Sequence, residues 1–294
     1  MRVFVTGASG HIASAVIPEL VGAGHEVTGL ARSDASAAVV RALGAEVRCG
    51  DLDDLAGLRE AAADADAVVH LAFDHDAIAA GKFADAVTAD LTVVRTLGEA
   101  LAGTGKALVG VGLTRTGDPE RDAVIAANPR SAVARELTAF TGREVRTLLV
   151  AIPPVTHSAR DRTGFVPTLI RIARDTGVSG YLGDGANRWP AGHVLDVGRL
   201  YRLALEKAPA GSQLCAAAEE GVTVREIAET IGRRLGLPAV SVPAERAAEH
   251  FKGFPFIGLD ITMSSADTRR SLGWEPVRPG LVADLEDGHY FTTG

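Results

Sequence analysis

The residues best placed to do chemistry stand in the run Val3-Phe4-Val5-Thr6-Gly7-Ala8-Ser9-Gly10-His11-Ile12-Ala13. A short apolar strand enters a turn with glycines at 7 and 10 and a small residue at 13, and a helical pattern follows over 12–21. That order builds an anion site. Gly7 permits the tight turn, Gly10 lets backbone approach a phosphate without a Cβ in the way, and Ala13 lets the helix lie close to its strand. The N–H groups of Ser9, Gly10, His11 and Ile12, at the positive end of that helix, suit a dinucleotide pyrophosphate.

Such a turn needs a sheet beneath it. Residues 25–31 read as a second strand, 35–43 as a helix, 45–48 as a short strand and 55–63 as a helix. A buried strand over 66–73 leads into a long helix over 83–101. Further strands at 107–111 and 145–152 flank a helical pattern at 131–141. Apolar strands alternating with amphipathic helices predict an α/β fold, a doubly wound parallel sheet of Rossmann type with its ligand along the carboxyl edge. After Ile152 the pattern changes. Pro153-Pro154 breaks the chain, 165–174 looks helical, 181–190 reads as a turn-rich loop, and 194–207 and 222–235 are helical. The expected domains are a nucleotide-binding Rossmann domain at 1–152 and a smaller C-terminal substrate-side lobe at 153–294, interleaved with late elements of the sheet.

Three further positions on that edge bear on the cofactor. Ala31-Arg32-Ser33 ends the second strand, and a guanidinium beside a hydroxyl suits a 2′-phosphate. That favours NADP(H) over NAD(H), although the adjacent Asp34 would serve a free ribose hydroxyl. Asp51-Leu52 offers a carboxylate to the adenine amino group and an apolar contact to its ring, or else Asp51 caps the next helix. Leu71-Ala72-Phe73, after the fourth strand, would lie along the ribose.

Composition narrows the partners. The chain of 294 residues has a formal net charge of −7 and no basic cluster, so nucleic acid and anionic membrane are poor partners and a small molecule is the expected one. Cys49 and Cys215 lie far apart with no CxxC, which reads as free thiols in a reducing compartment. With neither a leader pattern nor an apolar run of membrane-spanning length, the expectation is a cytoplasmic protein. Asp74-His75-Asp76 is the densest group of metal-ligand types, but neighbours on an extended chain point to opposite faces, and no metal is expected. There is no Gly-x-Ser-x-Gly elbow and no Walker loop.

Thr6-Gly7-Ala8-Ser9-Gly10-His11-Ile12-Ala13, Asp51-Leu52, His70-Leu71-Ala72 and Pro153-Pro154-Val155 occur in a characteristic order. His193-Val194-Leu195-Asp196-Val197 and Leu272-Gly273-Trp274-Glu275-Pro276 complete it. In these motifs the chain resembles the extended or atypical branch of the short-chain dehydrogenase/reductase superfamily, the epimerase/dehydratase-like group, over almost its whole length. The resemblance implies a bound nicotinamide dinucleotide, with Pro153 and Pro154 passing near the nicotinamide. It also implies a homodimer paired through the helices at 83–101 and 131–141.

The resemblance further implies a Ser or Thr after the fifth strand and a Tyr-x-x-x-Lys on the next helix, and here the sequence departs. None of Tyr181, Tyr201 and Tyr290 has a lysine four residues later. With Glu136 as the anchor, the tyrosine position falls on Asn128, the lysine position on Ala132 and the serine position near Gly112, with Thr114 the nearest hydroxyl.

Reducing a carbonyl puts negative charge on oxygen, which a donor must stabilise and protonate. Asn128 can donate a hydrogen bond but no proton at neutral pH. His157, which follows Pro153-Pro154-Val155, and His75, which follows the fourth strand, are the candidate proton donors, because imidazole changes charge near neutrality. Arg130 is either a partner for an anionic substrate group or one more charge on a helix face. The expected function is an NADP(H)-dependent oxidoreductase acting on a small, largely apolar carbonyl or imine, with an atypical active site. The alternatives are a non-redox isomerase, cyclase or lyase on the same fold, or a catalytically silent NADP-binding sensor.

Overall fold

The computed structural model describes residues 1–113 and 119–292, so the candidate Thr114 lies outside the described residues. In chain order the strands are β1 (Arg2–Thr6), β2 (Glu26–Ala31), β3 (Glu46–Cys49), β4 (Ala67–His70), β5 (Ala107–Gly112) and β6 (Arg146–Ala151). They continue as β7 (Val155–His157), β8 (Ser179–Leu182), β9 (Arg188–His193), β10 (Ser212–Cys215), β11 (Glu219–Thr223) and β12 (Ala239–Val242). The helices that matter below are α1 (Ala13–Gly22), α2 (Asp34–Ala42), α3 (Leu55–Asp64), α4 (His75–Ala79) and α5 (Phe83–Leu101). After them come α6 (Pro119–Ala127), α7 (Ser131–Ala139), α8 (Phe165–Thr176), α9 (Val194–Lys207) and α10 (Val224–Leu235). No described helix is long and apolar enough to cross a membrane.

Seven strands form one sheet in the order β10-β6-β5-β4-β1-β2-β3, and every neighbouring pair is parallel. The strand order turns back beside β1, which is paired to β4 on one side and β2 on the other, with Thr6 opposite His70. Such a reversal leaves a crevice at the carboxyl ends of the strands. The central strands read as unbroken apolar runs because both of their faces are covered: Val3, Phe4 and Val5 in β1 and Val68 and Val69 in β4 are all buried. The expected doubly wound parallel sheet is the observed one.

The chain divides into two compact units. The first comprises Met1–Ile152, Val197–Cys215 and Asp267–Trp274, and it holds the seven-stranded sheet. Its core joins Phe4, Leu58, Val68, Leu97, Leu101, Leu108, Leu137 and Phe140. The helix expected over 131–141 is α7, which tightens at Phe140–Arg143 into a single 3₁₀ turn. The second unit comprises Pro153–Asp196, Ala216–Ala266 and Glu275–Gly294. It carries a three-stranded sheet, β11-β9-β7, and the pair β12-β8. Trp189, Ile170, Ile227, Ile231, Phe251 and Leu281 fill its core, where the Trp189 indole N–H donates to the Leu259 carbonyl at 3.0 Å.

One element in this unit differs from expectation. Residues 181–190 are not a loop: they contain the end of β8 and the start of β9, joined by a turn in which Gly183 (φ +57°) and Gly185 (φ +68°) are left-handed. Those strands pair with β12, β7 and β11, partners some 28 to 60 residues away. Local composition registers the turn and misses the distant pairing.

Candidate active site

The glycine turn joins β1 to α1 at the carboxyl edge of the first unit's sheet. Gly7 has φ +64°, and a Cβ placed on it would stand 2.6 Å from the Ala72 backbone nitrogen, so both conformation and space demand glycine. The Gly10 N–H donates to the Gly7 carbonyl at 2.9 Å, closing the turn, and Ala13 begins α1 as a buried residue. The segment after β4 is thus pressed against the turn. Its Leu71 N–H donates to the Thr6 carbonyl at 3.3 Å.

A buried polar chain lies beneath. His70 Nε2 stands 2.7 Å from Asp90 Oδ1, His70 Nδ1 stands 2.6 Å from Thr6 Oγ1, and the Ala72 N–H donates to that hydroxyl at 3.4 Å. With Asp90 ionised, one arrangement satisfies every group. The Nε2–H donates to the carboxylate, the Thr6 hydroxyl donates to Nδ1, and the hydroxyl oxygen receives Ala72. The turn is fixed from inside by Asp90 on α5.

The outer rim of the same edge carries the other nucleotide candidates. Arg32, at the end of β2, is exposed, and its guanidinium stands 3.6 Å from Asp76. Ser33 caps α2, accepting the Ser36 N–H at 3.2 Å, and Asp34 opens the first turn of that helix. Asp51 does not cap α3, which corrects one of its two readings. Its Oδ1 accepts the N–H groups of Asp53 (2.9 Å) and Asp54 (3.1 Å), and Asp54 is the cap. The short side chain of Asp51 is taken up by the second and third residues after it, too early to reach the helix. Leu52 and Phe73 pack on the sheet's core. Phe73 is a platform: the His75 ring meets it edge-on at 5.8 Å, and the Arg130 guanidinium lies 3.9 Å over its centroid.

The catalytic candidates fare unequally. His75 opens α4, exposed, beside Phe73. Asn128 is exposed, and its Oδ1 accepts the Arg130 N–H at 3.0 Å, which makes it a turn residue ahead of α7. Gly112 frees no space for a ligand, since a Cβ there would meet Leu149 Cβ at 3.0 Å. His157 corrects an expectation. It lies on β7 with no exposed surface, its Nδ1 2.8 Å from Asp284, and a proton donor must touch its ligand. The chain there is a strand, paired to β9. Pro153 is likewise buried, against Gly192, and Pro154 is half-buried.

Comparison with known proteins bears on this geometry. A family model described as NAD(P)H-binding matches residues 7–101, the stretch from the glycine turn to the end of α5. An uncharacterised protein of Schizosaccharomyces pombe is 41% identical over 99% of this chain and 100% of its own length. A 4-hydroxy-2-methyl-3-oxo-4-farnesyl-3,4-dihydroquinoline-1-oxide ketoreductase of Stigmatella aurantiaca is 25% identical over 93% of this chain and 92% of its own. The UDP-glucose 4-epimerase of Thermotoga maritima shares the fold, with a TM-score of 0.77 at 18% identity over 99% of this chain and 98% of that one. The chain belongs to the extended short-chain dehydrogenase/reductase superfamily.

As a member of that superfamily the chain is an oxidoreductase-like protein with an NAD(P)-binding domain, and its residues fit the cofactor. Gly7 holds the turn tight against the Ala72 backbone, and a Cβ on Gly10 would meet only the Gly7 carbonyl, at 3.1 Å, among the described residues, so the outer side of the turn at Gly10 is where a pyrophosphate could approach closely. Sequence reading missed two features of this dehydrogenase/reductase site. Asp90 sits within an amphipathic helix and carries no motif, so only the fold brings it to His70. Phe73, expected along the ribose, is a platform for Arg130, and that role depends on a residue 57 positions away. A hollow of about 530 Å³ lined from α6, α7, β6 and β10 touches neither the glycine turn nor Phe73.

Proposed function

We propose that the protein is an NADP(H)-dependent oxidoreductase that reduces a small carbonyl or imine compound, with His75 as the proton donor in place of the superfamily's tyrosine. The observation that carries the cofactor preference is Arg32. It stands exposed at the carboxyl end of β2, beside the start of α2, where a 2′-phosphate would meet both a guanidinium and helix N–H groups. Asp76, 3.6 Å away, holds Arg32 only loosely, since an exposed pair of that separation contributes little.

The glycine turn and Arg32 would hold NADPH, which when bound would supply the hydride chemistry for a substrate carbon. The electron pair of the C=O or C=N bond moves to oxygen or nitrogen, and His75 supplies the proton that completes the alcohol or amine. The residue is accessible, and its ring is oriented by the edge of Phe73. The relative named as a ketoreductase supports a carbonyl substrate.

The test is titration with NADPH and NADH, followed by NADPH oxidation against ketones, aldehydes and cyclic imines. Arg32→Ala is expected to weaken NADPH by about 10- to 100-fold and leave NADH nearly unchanged, the loss of charge-assisted bonds to one phosphate. His75→Ala is expected to lower turnover by about 100-fold or more with NADPH still bound. Equal affinity for the two cofactors in the wild type overturns the preference. Undiminished turnover in His75→Ala removes the donor.

A further inference from the structure

Arg130 is the residue of the first unit whose situation the site described so far leaves unexplained. It precedes α7, half-buried, with its guanidinium carbon 3.9 Å from the centroid of the Phe73 ring. Among the described residues no carboxylate lies within ion-pairing distance of it, and no side-chain N–H of Arg130 makes a hydrogen bond. Burial pushes the guanidinium below its ordinary value, and the charge of Asp90 pulls the other way. Arginine does not give up its proton inside proteins, so a desolvated guanidinium without hydrogen bonds stands at a cost that a bound anion would remove.

A second observation points to the same place. The Tyr201 hydroxyl is fully buried without a hydrogen-bond partner among the described residues, and it lies within the electrostatic reach of Arg130. Buried tyrosine hydroxyls ordinarily have a partner. Arg130, Asp90, His70, Ala72 and Gly110 line one small hollow of about 10 Å³, room for no more than a water. Ala72 is also the residue pressed on the glycine turn, so the Arg130 guanidinium stands near that turn. That turn meets its anion with backbone N–H groups, and Arg32 answers a 2′-phosphate, which leaves Arg130 for a different anion.

We propose that Arg130 binds a carboxylate carried by the substrate, its planar fork taking both oxygens while Phe73 holds the guanidinium. The assignment rests on the NADP(H) oxidoreductase reading and narrows its substrates to acids.

The probe is benzoate, with benzamide as the neutral counterpart, titrated by calorimetry into the protein with and without saturating NADPH. Wild type, Arg130→Gln and Arg130→Lys are compared, and thermal melting reports that each is folded. Wild type is expected to bind benzoate at least about 10-fold more tightly than benzamide. Arg130→Gln is expected to lose that preference, by about 10- to 100-fold in benzoate affinity, at unchanged NADPH affinity. Arg130→Lys keeps the charge without the fork and should retain part of it, which preserves the test should Arg130→Gln melt. Equal benzoate affinity in wild type and Arg130→Gln, or no preference in wild type, overturns the proposal. So does a loss confined to NADPH, which would give the guanidinium to the cofactor. Failure of the wild type to bind NADPH, with the benzoate preference intact, would instead overturn the oxidoreductase reading alone.

Discussion

The His70–Asp90 pair of the seven-stranded sheet and the His157–Asp284 pair of the second unit use the same chemistry at nearly the same distance, 2.7 and 2.8 Å, and both are buried. They differ in what the rest of each histidine and aspartate is given to. His70 passes its other ring nitrogen to Thr6, and Thr6 receives Ala72, so the pair ends on the backbone that forms the glycine turn. The Nε2 of His157 has no hydrogen-bond partner among the described residues, its ring faces His193 edge-on at 5.3 Å, and its carboxylate is shared with His289 at 3.1 Å. One pair ties the core to a ligand-facing turn; the other ties core to core. A histidine beside an aspartate says little about function until the far side of each is known.

The largest expected effect is on the closed pair. Asp284→Asn leaves a fully buried imidazole, His157, and a partly buried one, His289, without their carboxylate, and should cost about 3 kcal/mol in urea unfolding. NADPH affinity of the folded variant should not change. Asp90→Asn is the counterpart, with a stability loss of about 1–3 kcal/mol because one imidazole is affected. It differs in kind, since loosening Thr6 and Ala72 should also weaken NADPH by several-fold. If Asp284→Asn moved NADPH binding and Asp90→Asn did not, the contrast between the pairs would be reversed.

A sharper probe of the open side is Gly7→Ala. The methyl would enter space held by the Ala72 backbone and force an L-residue to φ +64°, so turn and Ala72 must part. NADPH affinity should fall by about 100-fold, roughly 2.7 kcal/mol, read by quenching of protein fluorescence. Retained affinity would mean that the pyrophosphate does not use this cradle.

How much of this was legible beforehand follows the range of the interactions. The glycine turn, the parallel sheet and the break at Pro153 could be read from consecutive residues, because period, turn chemistry and a strand–turn–helix order are local. Asp90, Phe73 under Arg130, and the β8–β12 pairing could not, since each joins segments tens of residues apart. His157 shows the cost of reading a residue type without its surroundings. It follows the motif Pro153-Pro154-Val155, but alternation along β7 turns it inward with Val155. Asp51 erred in the same way on a smaller scale, one turn short of the helix it was offered as capping.

The smallest expected effect is a pH dependence that separates the pairs without removing either. Burial opposes ionisation of Asp284, but hydrogen bonds from His157 and His289, followed by their charges, outweigh it and hold the carboxyl below its ordinary value of 3.8. A carboxyl held lower in the folded state than in the unfolded chain adds stability that is fully present above the unfolded value. It is lost as pH falls from about 4 through the folded value. Urea midpoints taken from about pH 6 down to about pH 2.5 should therefore fall more steeply in wild type than in Asp284→Asn, whose amide does not titrate in that window. Parallel curves would mean that the carboxylate is no more stabilised in the fold than in water. The second histidine–aspartate pair would then be held together by packing around it.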